Sequence, residues 1–526
     1  MSEPSAPPAS SAPSAWRRCL LLCIPALILG AILRLSLISA VPEGYYGPDS
    51  NSYFDTTSAL WLQHKWDMGP KRRWVYPLLL IPTPILPGRN VATISTVQHG
   101  IGLLVTVLGM GWITYHLTRR PVIWVPFVTI LAALWPRMVW YEHEIVAEPI
   151  LLTSIIFTIA LAFPVQRLRE PRRLFWFLMS AALIIAIKPH GRPVWLGLMI
   201  AAVLLAGFPW RWSKACWAAL VVSVLVIFTT GSSKQGPWLL LSSSLPLVNP
   251  DQGKWPEYRQ ILRPHIEEAR QDLSQYPWKQ DRYKKMLVAS GDNTPLDLES
   301  DATPKEQKKT TLGPEWEAML KERKKTKFLK VCSDLSRDAI VHAPFTYTRM
   351  VLQKIGMVLS DDDAGWRMAP RAFWKAQLED NEERWQKHPD EMKMLYELDK
   401  EGYLALAESR RAQVEPYEPA IYRFTHVFTW MRATHDEKGK HTLHPAWFGL
   451  LALFGFLTCL RPKRWRETSP LWLALGIYLV IIFGIGDSLT RYLQPIEWIG
   501  IIFVALGLDW ILGFVWREAE VGEVDR

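Results

Sequence analysis

Residues 17–50, "RRCLLLCIPALILGAILRLSLISAVPEGYYGPDS", decide the fold. Arg17 and Arg18 open the stretch, an apolar run then reaches Ala40, and a turn-rich segment carrying Asp49 follows. A helix needs about 20 apolar residues to cross the hydrocarbon of a bilayer, fewer where its ends snorkel. The stretch therefore reads as a membrane span with a basic end and an acidic end. A signal peptide has a similar outline, but no small-residue cleavage site precedes the acids, so the run is read as a retained first span.

Similar runs recur outward from it. Beside 19–40 they lie near 95–117, 121–139, 146–165, 174–188, 193–210, 214–230, 444–460, 470–486 and 492–516. The chain of 526 residues is 49% hydrophobic and holds 27 Trp, which is unusual for a soluble enzyme. Its mean hydropathy is near zero only because residues 250–440 are polar and charged. The expected fold is an all-α polytopic membrane protein of about ten spans with a mainly helical extracytoplasmic insert. Residues 1–16 form a Pro/Ser/Ala-rich disordered cytoplasmic N-terminus, 17–230 a transmembrane module with a first outer loop at 41–94, and 231–443 the soluble insert. Residues 444–516 return to the membrane and 517–526 form a cytoplasmic tail. Within the insert, "TYTRMVLQKIGMVL" and "EMKMLYELDKEGYLALAESRRAQ" have helical patterning. Between them "SGDNTPLDLESDATPKEQKKTTLGPE" reads as a loop or mobile link.

The net charge of +10 is a matter of orientation. Arg17, Arg18, Arg119, Arg120, Arg167, Arg169, Arg172, Arg173, Arg211, Lys214, Arg461, Lys463, Arg464, Arg466 and Arg517 gather at alternate helix ends. The positive-inside rule makes those ends cytoplasmic, with both termini inside a cell (inner or plasma) membrane. Nucleic acid is thereby not expected as a partner. Cys19, Cys23, Cys216 and Cys459 fall in or beside spans and Cys332 stands alone in the insert, so no disulfide framework exists there.

The opposite face carries cations against that rule: Arg34, Arg137, Lys188, Arg192 and Arg491. Acids stand with them, namely Asp49, Asp55, Glu142, Glu144, Glu148 and Asp487. Any one of these cations has a plain reading as a snorkelling side chain. Five at one leaflet point to function, because ionisable groups are expensive in a membrane. A lipid-linked phosphate substrate suits the set: Arg and Lys hold the phosphate, and a carboxylate takes a proton from an attacking hydroxyl. Tyr45, Tyr46, Tyr53, Trp61 and Trp66 offer faces for a sugar, although interface belts collect aromatics as well. Asp49 also has a structural reading as the N-cap of a helix from about Ser50 to Gln63, with Tyr53 one turn on.

Three short motifs, in this order, resemble a known family. "PDSNSY" after the first span resembles the acidic first-loop motif of the GT-C glycosyltransferases, which use polyprenyl-phosphate sugars and are related to protein mannosyltransferases. "EHEIVAEPILL" is similar to the acidic entry into their fourth span, and "RYLQPIEW" to the Arg-Tyr-x-x-Pro near the start of a late span. The resemblance covers roughly 17–230 and 444–516; the insert resembles nothing comparable. It implies that Asp49 is the catalytic base, Glu148 a second site acid, and Arg491 a ligand of the carrier phosphate. Ser50 stands where the family commonly has a second adjacent acid, which leaves the division of roles between Asp49 and Asp55 open.

The candidate site is therefore Asp49 and Glu148 for catalysis, with Tyr53, Asp55, Glu144, Lys188, His190, Arg192, Arg491 and Tyr492 for binding. The expected activity is a hexosyl or pentosyl transfer, inverting, on the extracytoplasmic side. The donor is a polyprenyl-phosphate-linked sugar; the acceptor is a hydroxyl of a glycan, lipid or protein. A divalent metal is compatible, since some family members use one. The rival enzyme is a polymerase or ligase using lipid-diphosphate-linked glycan; the rival class is a secondary transporter or flippase, whose ionisables sit near the midplane on broken, symmetry-related helices.

Other motifs read as chance. "GDSL" at 486–489 puts Ser488 on a turn between spans rather than after a strand, and "HEIVA" has Ala147 where a zinc helix needs its second His. "DDD" at 361–363 reads as a solvated turn. His435, Asp436, His441 and His444 have irregular spacing for a metal site.

Overall fold

A computed structural model describes residues 12–40, 44–45, 50–67, 74–85, 91–229, 236–275, 325–360, 381–382, 384–414, 434–435, 441–442, 447–462, 464–485 and 493–524. The described chain is helical apart from a two-residue ribbon, Thr434–His435 against His441–Thr442. It divides into two compact units: residues 1–230, 362–475 and 494–526 form the first, 231–361 and 476–493 the second. Residues 362–443 of the anticipated insert thus group with the first unit.

Each of the ten apolar runs contains a helix. In the first unit these are α1 (Ala12–Ala40), α4 (Val91–Leu117), α5 (Pro121–Leu134), α6 (Pro136–His143), α7 (Glu148–Leu161), α8 (Pro171–Ile187), α9 (Gly191–Ala206) and α10 (Lys214–Thr229). Between α1 and α4 come α2 (Ser50–Gln63) and α3 (Val75–Leu80). Among the described residues three segments are long and apolar enough to cross a membrane: Ala15–Ser39, Val91–Leu117 and Gln494–Phe514. A bent pair, α5 with α6, makes a fourth if counted as one span. The 14 residues of α7 give a length of about 21 Å, short of the roughly 30 Å of hydrocarbon.

Proline sets many of the helix starts. Pro121, Pro136, Pro149 and Pro171 occupy the first turns of α5, α6, α7 and α8, where a missing N–H does no harm. Pro136 also explains why the run 121–139 is not one helix. It drives Trp135 into extended backbone (φ −67°, ψ 115°), which ends α5, and the chain restarts as α6 at a bend of 46°.

α1 buries Cys19, Cys23 and Ala26 against Leu103 and Val107 of α4 and Val125 and Ala133 of α5. Its other side exposes Leu21, Ile24, Ile28 and Leu35, spaced by three, four and seven residues. α4 does the same with Val97, Ile101 and Leu104. Apolar stripes left outside a packed helical core suit lipid.

In the second unit, α11 (Gly236–Ser244) and α12 (Pro256–Gln275) pack with α13 (Lys325–His342) around Leu241, Tyr258, Leu262, Val331, Cys332 and Leu335. α14 (Pro344–Ser360) follows. The link expected near 290–315 lies outside the described residues. The first unit continues with α15 (Pro389–Tyr396) and α16 (Lys400–Val414), where the sequence suggested one helix. Glu397 breaks it by adopting left-handed backbone (φ 57°), and the Asp399 side chain accepts from the Gly402 N–H to start α16. α17 (Trp447–Cys459) packs on α19 (Gln494–Val524), while α18 (Ser469–Ile485) lies between them in sequence.

Candidate active site

The loop between α1 and α4 is stitched to the segment leading into α7. The Tyr45 N–H donates to the His143 carbonyl at 2.8 Å, and the Ile145 N–H donates back to Tyr45 at 2.9 Å. Ser50, the first residue of α2, donates its hydroxyl to the Ile145 carbonyl at 2.9 Å. Gly44 makes the approach feasible: its φ is +67°, and a Cβ there would stand 2.8 Å from Cβ of Ser95 and 3.0 Å from the His143 oxygen. Asp49 lies outside the described residues, yet both its flanks are tied to residues 143–145, immediately before Glu148.

Glu148 opens α7 and Lys188 directly follows α8. An anion thus sits at a helix N-terminus and a cation at a helix C-terminus, where each macrodipole favours it. Lys188 Nζ donates to Glu148 Oε1 in a buried ion pair. Glu148 Oε2 is buried and, among the described residues, has no hydrogen-bond partner.

Tyr76, on α3, is the residue sequence reasoning missed. Its hydroxyl donates to Gln98 Oε1 at 2.6 Å, and Gln98 Nε2 donates to the carbonyls of Glu142 (3.0 Å) and Glu144 (2.7 Å). The Tyr53 ring meets the Tyr76 ring edge-on, centroids 4.9 Å apart. Burial pushes the Tyr76 hydroxyl well above the ordinary tyrosine range, and the neighbouring Tyr53, Glu148 and Glu144 push it further. Tyr53 thus packs on Tyr76, and Gln98 links the Tyr76 hydroxyl to the Glu144 backbone. A tyrosine in an outer loop with no periodicity around it gave no signal beyond its aromatic character.

Other candidates are placed differently. Asp55 is exposed on α2, whereas Tyr53, Thr56 and Thr57 are buried. Glu144 is buried, and half-buried His190 precedes the first turn of α9. Arg192 donates Nη2 to the Ile227 carbonyl at 3.2 Å, and burial lowers its pKa. Arg491, Tyr492, Asp487, Ser488 and residues 361–363 lie outside the described residues, as do Asp436 and His444; His435 and His441 face one another across the ribbon. Among the described residues no three His, Cys, Asp or Glu gather as metal ligands.

Next to this cluster a buried ionic chain crosses the helices. Arg34 on α1 grips Glu142 on α6 with two prongs, Nε to Oε2 at 2.6 Å and Nη2 to Oε1 at 2.8 Å. Its Nη1 donates to the Ala133 carbonyl at 2.7 Å, an acceptor freed where Pro136 breaks the helix. His99 Nδ1 contacts Glu142 Oε2 at 3.0 Å, and its Nε2 contacts Nδ1 of His143 at 3.0 Å. Ser95 Oγ reaches the same His143 nitrogen at 3.1 Å. With Glu142 ionised, His99 donates to it and His143 donates to His99. Gly102 lets the carboxylate nest, since a Cβ there would lie 2.4 Å from Glu142 Oε1. Arg137 pairs with Glu497 of α19 at 3.4 Å, and Trp135 Nε1 donates to that acid at 3.0 Å. The four described cations of the outer-face set thus all have protein partners.

Compared with known proteins, the chain matches no family model, no curated protein and no solved structure.

Proposed function

We propose that this chain is an integral-membrane glycosyltransferase of the GT-C kind. It moves a sugar from a polyprenyl-phosphate carrier to an extracytoplasmic hydroxyl. The observation that carries the reading is the stitching of the first outer loop to the 143–148 segment, which holds Glu148 with one buried oxygen unpartnered. A buried carboxylate oxygen without a donor is a group awaiting one, and an acceptor or sugar hydroxyl supplies it. In the reaction Asp49 takes the acceptor proton, and the acceptor oxygen attacks the anomeric carbon. The bond to the phosphate oxygen then breaks with its electron pair, so a single displacement inverts that carbon. Arg491 holds the departing phosphate, with Lys188 contributed from the end of α8 and Arg192 from the first turn of α9. All ten apolar helices cross or enter the bilayer on this reading, both termini face the cytoplasm, and the acids face outward.

A second reading has support of its own. The bent α5–α6 pair carries buried Arg137, Glu142 and His143, and broken helices bearing ionisable groups are a feature of transporters. Purified protein in sealed vesicles with a labelled polyprenyl-phosphate sugar separates the two. A transferase forms a new glycosidic product and frees polyprenyl phosphate; a flippase moves the donor across unmodified. Unmodified donor on both leaflets, with no product on any hydroxyl acceptor offered, would overturn the transferase.

A further inference from the structure

We infer that α14 is an interfacial helix lying in the membrane surface, with Phe345 and Leu352 among the lipid chains; this rests on the membrane reading above. Met350, Val351 and Lys354 form the buried side of α14, joined by half-buried Tyr347. Phe345 and Leu352, seven residues apart, share the opposite side and are 90% and 62% exposed. Val341, at the end of α13, is 66% exposed. Exposed Thr348 and Arg349 flank the stripe. A helix held to protein by one side, with Phe345 and Leu352 beside Thr348 and Arg349 on the other, can seat those two apolar side chains in a bilayer interface.

What fixes lipid as the occupant is where α14 begins. The Tyr347 hydroxyl, in its first turn, donates to the Gly484 carbonyl, one residue before the end of the apolar helix α18. Val480, one turn earlier on α18, is exposed and apolar, a flank for acyl chains. α14 therefore starts level with the end of an apolar helix. Burial pushes the Tyr347 hydroxyl up to about 12, in keeping with a site screened from water.

The test uses the full chain with its five cysteines replaced, in vesicles of phosphatidylcholine and phosphatidylglycerol. A fluorophore is placed on Phe345→Cys or Leu352→Cys, with Ile28→Cys on α1 and Glu267→Cys on α12 as references. The expected result is several-fold stronger quenching at 345 and 352 by a head-group nitroxide lipid than at 267, with little quenching by aqueous iodide. Iodide quenching at 345 and 352 equal to that at 267 would overturn the inference, and so would shielding from both quenchers, which means a protein covers the face. Ile28 keeps the failures apart. If a deep-chain nitroxide quenches position 28, the membrane reading stands whatever α14 does; if iodide alone reaches position 28, both fall.

Discussion

Glu142 and Glu148 are buried carboxylates six residues apart, and the structure treats them in opposite ways. Both oxygens of Glu142 accept hydrogen bonds, from a two-pronged Arg34 and from His99. Glu148 has one oxygen paired with Lys188 and the other, among the described residues, without a partner. A satisfied network fixes one packing arrangement of helices, whereas an unsatisfied buried acceptor destabilises the fold unless something binds it. On the proposed function, the first carboxylate serves the fold and the second serves a ligand.

That division breaks most visibly in turnover. Glu148→Gln should lower sugar transfer per folded molecule by about 10–100-fold, because a hydrogen bond from a substrate hydroxyl to a charged acceptor contributes about 1.5–3 kcal/mol. It also leaves buried Lys188 without its counter-charge, so turnover is read on the fraction that folds. Equal turnover in Glu148→Gln would make the acid structural. Glu142→Gln should spare the turnover of the molecules that fold. It leaves Arg34 buried without its counter-charge, which costs about 3–5 kcal/mol, read as lost folded protein in detergent. Gly102→Ala sharpens the same point more gently. Its methyl group displaces the Glu142 carboxylate and should destabilise by about 1–3 kcal/mol, whereas the same change at Gly100, which nothing faces, should not.

The smallest effect concerns Tyr76. Its folded pKa is raised, so its contribution to stability is full below the ordinary value of about 10 and is lost as pH rises through the folded value. In an alkaline absorbance titration the folded wild type and Tyr76→Phe should therefore release the same number of phenol protons near pH 10. One extra tyrosine titrating there in the wild type would place Tyr76 in contact with water. Tyr76→Phe should also weaken the Gln98 brace by about 1 kcal/mol.

How much of this was legible depends on range. Apolar runs and their proline starts are local, and each run does contain a helix; the helix beginning at Ser50 was legible too. Helical phase alone separates Asp55 from Tyr53, since two residues turn the helix by about 200° and put them on opposite sides. The pairings were not legible. Arg34 meets Glu142 across 108 residues and Lys188 meets Glu148 across 40, so a run of outer-face cations reads as free charge until the helices are assembled. The break at Trp135 was available from Pro136, but a continuous apolar composition over 121–139 masked it.

The account turns on Asp49, whose flanks are fixed to the Glu148 segment. Asn caps a helix as well as Asp does but takes no proton, so Asp49→Asn separates the two roles. The direct measurement is mass spectrometry of lipid extracts from cells lacking this chain and from cells given back wild type or Asp49→Asn at equal abundance. The account predicts that a polyprenyl-phosphate sugar accumulates without the chain, disappears with wild type and persists with Asp49→Asn. No accumulation in its absence, or clearance of the lipid by Asp49→Asn, would contradict it.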